Sequence, residues 1–249
     1  MDRRRSFRLT LDGGMALIFL LLMAARYTGG VVHEWLGVLI LVPVLMHVHV
    51  NKGWWKTVPR VVLIRPFRTG VNLLTAFFLV GAMLSGIPIS ENVFAFAGGE
   101  AGLHGRSVHM FFAHWAFLFA AFHLGAYGKR LMVLLQIPVS RLPRRAVSFS
   151  GLAAVMVAGY GAWAFVVRDL ALPLSMRTSF TVWNADDSAV RLVADYLAVF
   201  CLATTAAYVL SALAGRGCSF SPGERNMERG TSTGNARAGV LVESGKKLP

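Results

Sequence analysis

Acidic residues are scarce in this chain. It carries 12 Asp and Glu against 25 Lys and Arg in 249 residues, and only 15% of its residues are charged. A soluble domain has about a quarter. Cysteine is scarcer still: Cys201 and Cys218 are the only two, one inside an apolar run and one in a basic tail. Two are too few for a disulfide framework or a four-thiolate zinc site. A phosphate-binding loop is missing as well, since ESGKK at 243–247 lacks the upstream glycine and the preceding strand. What the chain does have is apolar residues, at 55%, with a mean hydropathy of +0.57. The formal net charge of +13 does not point to nucleic acid, because the basic residues cluster between apolar runs. That is the pattern of cytoplasmic loops, and it makes the lipid bilayer the expected partner.

Six spans are expected. The first runs from about Leu9 to Tyr27, behind the four arginines of MDRRRSFR. Its apolar core, MALIFLLLMAA at 15–25, is short against the roughly 18 residues of a clear span. A cleaved signal peptide is therefore the alternative reading of this segment. The others cover about Val31–Val50, Gly70–Ile89, Ser107–Tyr127, Val147–Val167 and Leu192–Ala214. Twenty of the 25 Lys and Arg then fall on one side, and Arg26, Arg106, Arg168, Arg177 and Arg191 on the other. By the positive-inside rule both termini are cytoplasmic. Trp35, Trp54, Trp55 and Trp183 fall near the expected interfaces, where indoles prefer to sit. The residues from 215 to 249, rich in Gly, Ser, Arg and Asn, read as a disordered cytoplasmic tail.

Histidines carry the chemistry. His33 and His47 are fourteen residues apart in span two, and His109 and His123 are fourteen apart in span four. Fourteen residues turn an α-helix through roughly 1400°, about 40° short of four turns, and rise roughly 21 Å. Each pair shares a face. His49 lies roughly 160° from His33, and His114 roughly 180° from His123, so both point elsewhere. His104 falls in an outer loop. Spans two and four run in the same direction, which puts His33 level with His109 and His47 level with His123. An intramembrane histidine is costly unless it is paired or ligating. Two bis-imidazole levels suit two b-type haems better than zinc or copper, which want further thiolate or carboxylate ligands.

Arg26 and Arg106 stand near the outer level, where they could pair with haem propionates, although boundary charges are common at span ends. Lys52, Lys56, Lys129 and Arg130 stand near the inner one. Gly81, Ser85 and Gly86 on span three could admit a macrocycle, or serve helix packing. The expected fold is an all-α polytopic membrane protein. A four-helix bis-His haem-binding core covers 9–135, formed by spans one to four, and a further helix pair covers 147–214.

With these residues in view the chain resembles the haem core of the cytochrome b subunit of quinol–cytochrome c reductases. TGGVVHEWLG, then HVHVN with His47 four before Asn51, and later YGAWAF and ADYLAVFCL, are more closely similar to a family of bacterial cytochrome-b-like membrane proteins. That family is associated with extracytoplasmic flavinylation and grouped with ferric-reductase-like cytochromes. The resemblance covers about residues 10–214. It implies a bacterial inner-membrane electron-transfer subunit of an oxidoreductase, with iron in two haems and a quinone as a further candidate cofactor. The implied donor is a quinol or a cytoplasmic-side reductant, and the implied acceptor an extracytoplasmic protein, flavinylated in one version. Two other classes remain in play, a transporter using intramembrane histidines and a non-redox membrane anchor. A transporter predicts acidic groups near mid-span, whereas Asp12, Glu34 and Asp195 all sit toward span ends.

Overall fold

A computed structural model describes residues 3–97, 102–134, 144–180 and 188–217. Among them every regular element is helical. The first helix, α1, covers Arg3–Met23, and a short α2, Ala25–Thr28, ends at Gly29. Gly29 has φ +83, a conformation open to glycine at little cost, and here the chain passes from α2 into α3. The second span is then one apolar stretch, Gly30–Val50, written as two helices: α3, Gly30–Leu39, and α4, Leu41–Val50. The break falls at Ile40, three residues before Pro43, whose nitrogen has no hydrogen to donate to the Leu39 carbonyl and whose ring crowds it.

The chain continues through α5, Lys52–Ile64, and α6, Pro66–Gly86, whose first residue is a proline at a position where no N–H is needed. After a 3-10 turn at Ile87–Ile89 come α7, Gly102–Ala126, and α8, Gly128–Leu134. The rest is α9, Arg144–Val167, a short α10, Ala171–Leu174, and α11, Ala189–Gly217. One compact unit extends to Ser211, and the remainder begins at Ala212. Of the expected tail, only 215–217 are described, as the end of α11. Trp183 lies outside the described residues.

Among the described residues, five helices are long and apolar enough to cross a membrane: Ser6–Met23, Gly30–Val50, Pro66–Ile89, Gly102–Ala126 and Ala189–Ala214. The fifth expected span corresponds to α9, Arg144–Val167, in which Gly151–Val167 is a further apolar helix of the described residues. Large apolar side chains stand on the outside of these helices: Leu17 is 60% exposed, Leu84 62% and Val166 70%. Patches of this kind are unfavourable in water and suited to lipid tails.

The core lies where α1, α7, α9 and α11 meet, with Ala24, Phe117, Ala164, Leu192, Tyr196 and Val199 buried together. Phe19 of α1 stacks on Phe117 of α7 at 6.2 Å. Small residues set how closely α11 can approach. A Cβ on Gly125 of α7 would collide with the Thr204 carbonyl, and one on Gly161 of α9 with the Ala198 carbonyl. In lipid, where apolar surfaces have no water to escape, such close backbone packing is what holds helices together.

One buried ion pair joins α9 to α11. Arg168 donates from Nε and Nη2 to Asp195 Oδ2 at 2.9 and 2.7 Å, and Tyr160 donates to Asp195 Oδ1. Arg168 is 6% exposed and Asp195 1%. Each charge is compensated by the other, the arrangement a low-dielectric interior requires.

Candidate functional site: two levels of paired histidines

The rings of His33 and His109 lie 6.1 Å apart, centre to centre, at an interplanar angle of 89°. Those of His47 and His123 also lie 6.1 Å apart, at 72°. The couples are the two expected from spacing, so α3–α4 and α7 run in the same direction and their histidines meet at matching heights. The break at Ile40 leaves this alignment intact: its backbone stays right-handed helical, and it still donates to the Leu36 carbonyl and accepts from the Val44 amide.

Each of the four imidazoles is held by its Nδ1. His33 Nδ1–H donates to the Leu22 carbonyl of α1 at 3.1 Å. His109 donates to the Ala82 carbonyl of α6 at 3.0 Å, with Ser85 Oγ 3.3 Å away. At the other level His47 donates to Asp12 Oδ1 of α1 at 2.8 Å, and His123 to Asn72 Oδ1 of α6 at 3.0 Å. A carbonyl, a carboxylate or an amide oxygen can only accept, so the partner fixes the proton on Nδ1 in all four rings. The lone pair is left on Nε2, the nitrogen free for a metal.

The 6.1 Å spacing can be compared with coordination chemistry. A metal–imidazole bond is about 2.0–2.1 Å, and the ring centre lies about 1.1 Å beyond the nitrogen, so two imidazoles on opposite sides of one ion have centres roughly 6.3 Å apart. Both levels match. Among the described residues no group of three or more His, Cys, Asp or Glu could hold a metal ion. A zinc site needs three or four protein ligands, whereas a haem iron held by its macrocycle needs only two axial ones. The donor set fits bis-imidazole haem and lacks the third ligand that a zinc site requires.

No protein-family model, no curated protein and no solved structure matches this chain.

The remaining candidates fall into place around these levels. His114 is buried on a different face of α7: its Nδ1 donates to the Met110 carbonyl at 2.8 Å and its Nε2 lies 3.4 Å from Tyr196 Oη. His49 and His104 are exposed. Arg106 pairs with Glu91 at 2.9 Å across the loop after α6, an exposed contact. Arg26 is exposed on α2. Gly86 faces the His109 ring, where a Cβ would come within 3.3 Å, and Gly81 faces the Phe112 ring. An open apolar groove of about 640 Å³ runs beside this pair of helices, lined by Phe77, Val80, Leu84, Ser85 and Phe112 among others.

Four features were not expected from sequence: the acceptors Asp12 and Asn72, the buried pair Arg168–Asp195, and the work of Glu34. The Glu34 carboxylate, next to His33, accepts from Ser90 Oγ, from Asn92 Nδ2 and from the backbone amides of Glu91, Asn92 and Val93, at 2.7–3.0 Å. It pins the segment after α6 against the start of α3. Asn51, four residues after His47, returns its Nδ2 to the His47 carbonyl at 2.9 Å and closes the end of α4. Asn72 also donates to Tyr127 Oη at 2.9 Å, and Arg68 lies over the Tyr127 ring. A polar residue within an otherwise apolar span was the one available signal for Asp12 and Asn72.

Proposed function

We propose that this protein is a di-haem b-type cytochrome that carries electrons across a bacterial inner membrane. The observation that supports it best is the pair of 6.1 Å histidine couples, each ring anchored through Nδ1 with Nε2 left to bind. In this reading α1, α3–α4, α6 and α7 form a four-helix haem-binding bundle. His33 and His109 hold one haem toward the outer face, and His47 and His123 hold the other toward the cytoplasm. Six spans, with α9 as the fifth, leave both termini cytoplasmic. Bound haem supplies a one-electron iron couple at each level.

The chain's own residues do the rest. Leu22, Ala82, Asp12 and Asn72 fix the tautomer and orientation of the ligands, the usual task of groups one step out from a metal. The apolar helices keep water from the irons. Glu34 holds the outer segment in place beside His33, where an extracytoplasmic acceptor, a flavoprotein in the fullest version, meets the protein. The apolar groove ending at Ser85 suits a quinol, whose ring and tail need an apolar bed with one polar contact.

Purified protein decides the matter by its reduced-minus-oxidised spectrum with pyridine haemochrome quantification. Two b-haems per chain are expected, and one in the His47→Ala, His123→Ala double variant. Colourless protein from haem-replete cells, or unchanged haem content in the double variant, overturns the proposal. The first result favours a transporter or a membrane anchor.

A further inference from the structure

The two helical hairpins treat their histidines alike. On α1 the acceptors Asp12 and Leu22 stand ten residues apart, and on α6 Asn72 and Ala82 stand ten apart. On each hairpin the later helix carries its two histidines fourteen apart. The correspondence makes a comparison possible that no single site offers. At the His33–His109 level both acceptors are backbone carbonyls. At the His47–His123 level they are side chains of nearly the same shape, a carboxylate on one ligand and an amide on the other. They differ by one full negative charge.

We propose that Asp12 is a redox-tuning residue, whose contact with His47 holds the haem of the His47–His123 level at a lower reduction potential than the haem of the His33–His109 level. This rests on the di-haem reading above. A carboxylate accepting the Nδ1–H of a ligating imidazole makes that ring a stronger donor. Ferric haem also carries one more positive charge than ferrous haem, so an adjacent anion favours the oxidised form. Asn72, in the corresponding place on the opposite ligand, gives the same orientation without the charge.

Other charges act less directly. Arg68 reaches this level only through the Tyr127 ring and then Asn72, and its guanidinium also donates to Ser211 Oγ at 3.3 Å. Glu34 adjoins His33 in sequence, but its carboxylate is taken up by five donors from Ser90 and the 91–93 segment. Asp12 by contrast touches the ligand ring itself, at 2.8 Å. Its side chain is 46% exposed, so the carboxylate is only partly enclosed against His47. In half-reduced protein the single electron then resides at the His33–His109 level.

The test is a potentiometric titration of the full-length protein, with haem content measured on every sample. Wild type is expected to show two waves. Asp12→Asn moves the lower wave to more positive potential, Asn72→Asp moves the same wave to more negative potential, and the upper wave stays in place under both. Two haems retained with neither wave moved by Asp12→Asn, or the upper wave moved instead, overturns the proposal. If Asp12→Asn loses a haem, Asn72→Asp decides: an unmoved lower wave overturns it. Wild-type protein without haem is a different failure, that of the di-haem reading, and takes this proposal with it.

Discussion

Asn72 connects His123 to the rest of the protein. It accepts from His123 through Oδ1 and donates to Tyr127 through Nδ2, so both ends of one amide are used. Asn72→Leu keeps the bulk and removes both contacts. Loss of an outer partner of this kind commonly lowers affinity for the metal group by about 10–100-fold. Under the di-haem proposal, haem transfer to apomyoglobin from the variant should therefore be faster for one of the two haems, and equal rates for both would argue against the role. Glu34 makes a different demand. Its five hydrogen bonds hold residues 90–93 in place, so Glu34→Ala should expose three backbone amides to exchange with solvent. Hydrogen–deuterium exchange of the peptide covering 90–94 is the measurement. An acceleration of at least tenfold, about 1.4 kcal/mol of lost protection, is expected.

Between helices, the strongest polar link is Arg168–Asp195. Breaking such a buried pair by removing one partner costs about 3–5 kcal/mol, since the survivor is left charged and uncompensated. Asp195→Leu should lower the thermal midpoint in detergent markedly. Replacing both partners, Arg168→Met with Asp195→Leu, should recover most of the loss; no recovery would show that the pair is not acting as a unit. The glycines act through shape rather than charge. Gly125→Leu and Gly161→Leu each place a side chain where a carbonyl of α11 already lies, so both should destabilise the packing of α11. Gly53→Leu, which meets nothing within 4 Å, is the matching control.

For the molecule in its membrane, the proposal makes a sidedness prediction. Cysteine placed at Asn92 should react with an impermeant maleimide added to intact spheroplasts, and cysteine at Thr57 only after lysis, with Cys201 and Cys218 first replaced by serine. Labelling at Thr57 in intact cells would invert the topology and the assignment of outer and inner levels. The charge distribution and the helix directions both enter that prediction. Parallel α3–α4 and α7 are a property of the fold, whereas which end faces the cytoplasm is inferred from the lysine and arginine bias.

Helical class, five of the six expected apolar spans and the two histidine couples were legible in the chain, because periodicity and spacing are properties of a helix whatever surrounds it. A fourteen-residue interval puts two side chains on one face in any α-helix, and the 6.1 Å couples follow once two such helices lie side by side. His114 was set aside on the same angular ground, and it does face Tyr196 instead. The acceptors were not legible. Asp12 and His47 are 35 residues apart, Asn72 and His123 51, and Arg168 and Asp195 27. Nothing in a local pattern ties residues at such separations. Which face of α1 meets α4, and which residue of α6 lies beside His123, depend on how the helices rotate and slide as they pack, and packing is a property of all of them together. The sequence by itself determined where the imidazoles stand on their helices. Only the tertiary structure decided what holds each one, and with it that one level is anchored through a charge and the other through backbone carbonyls.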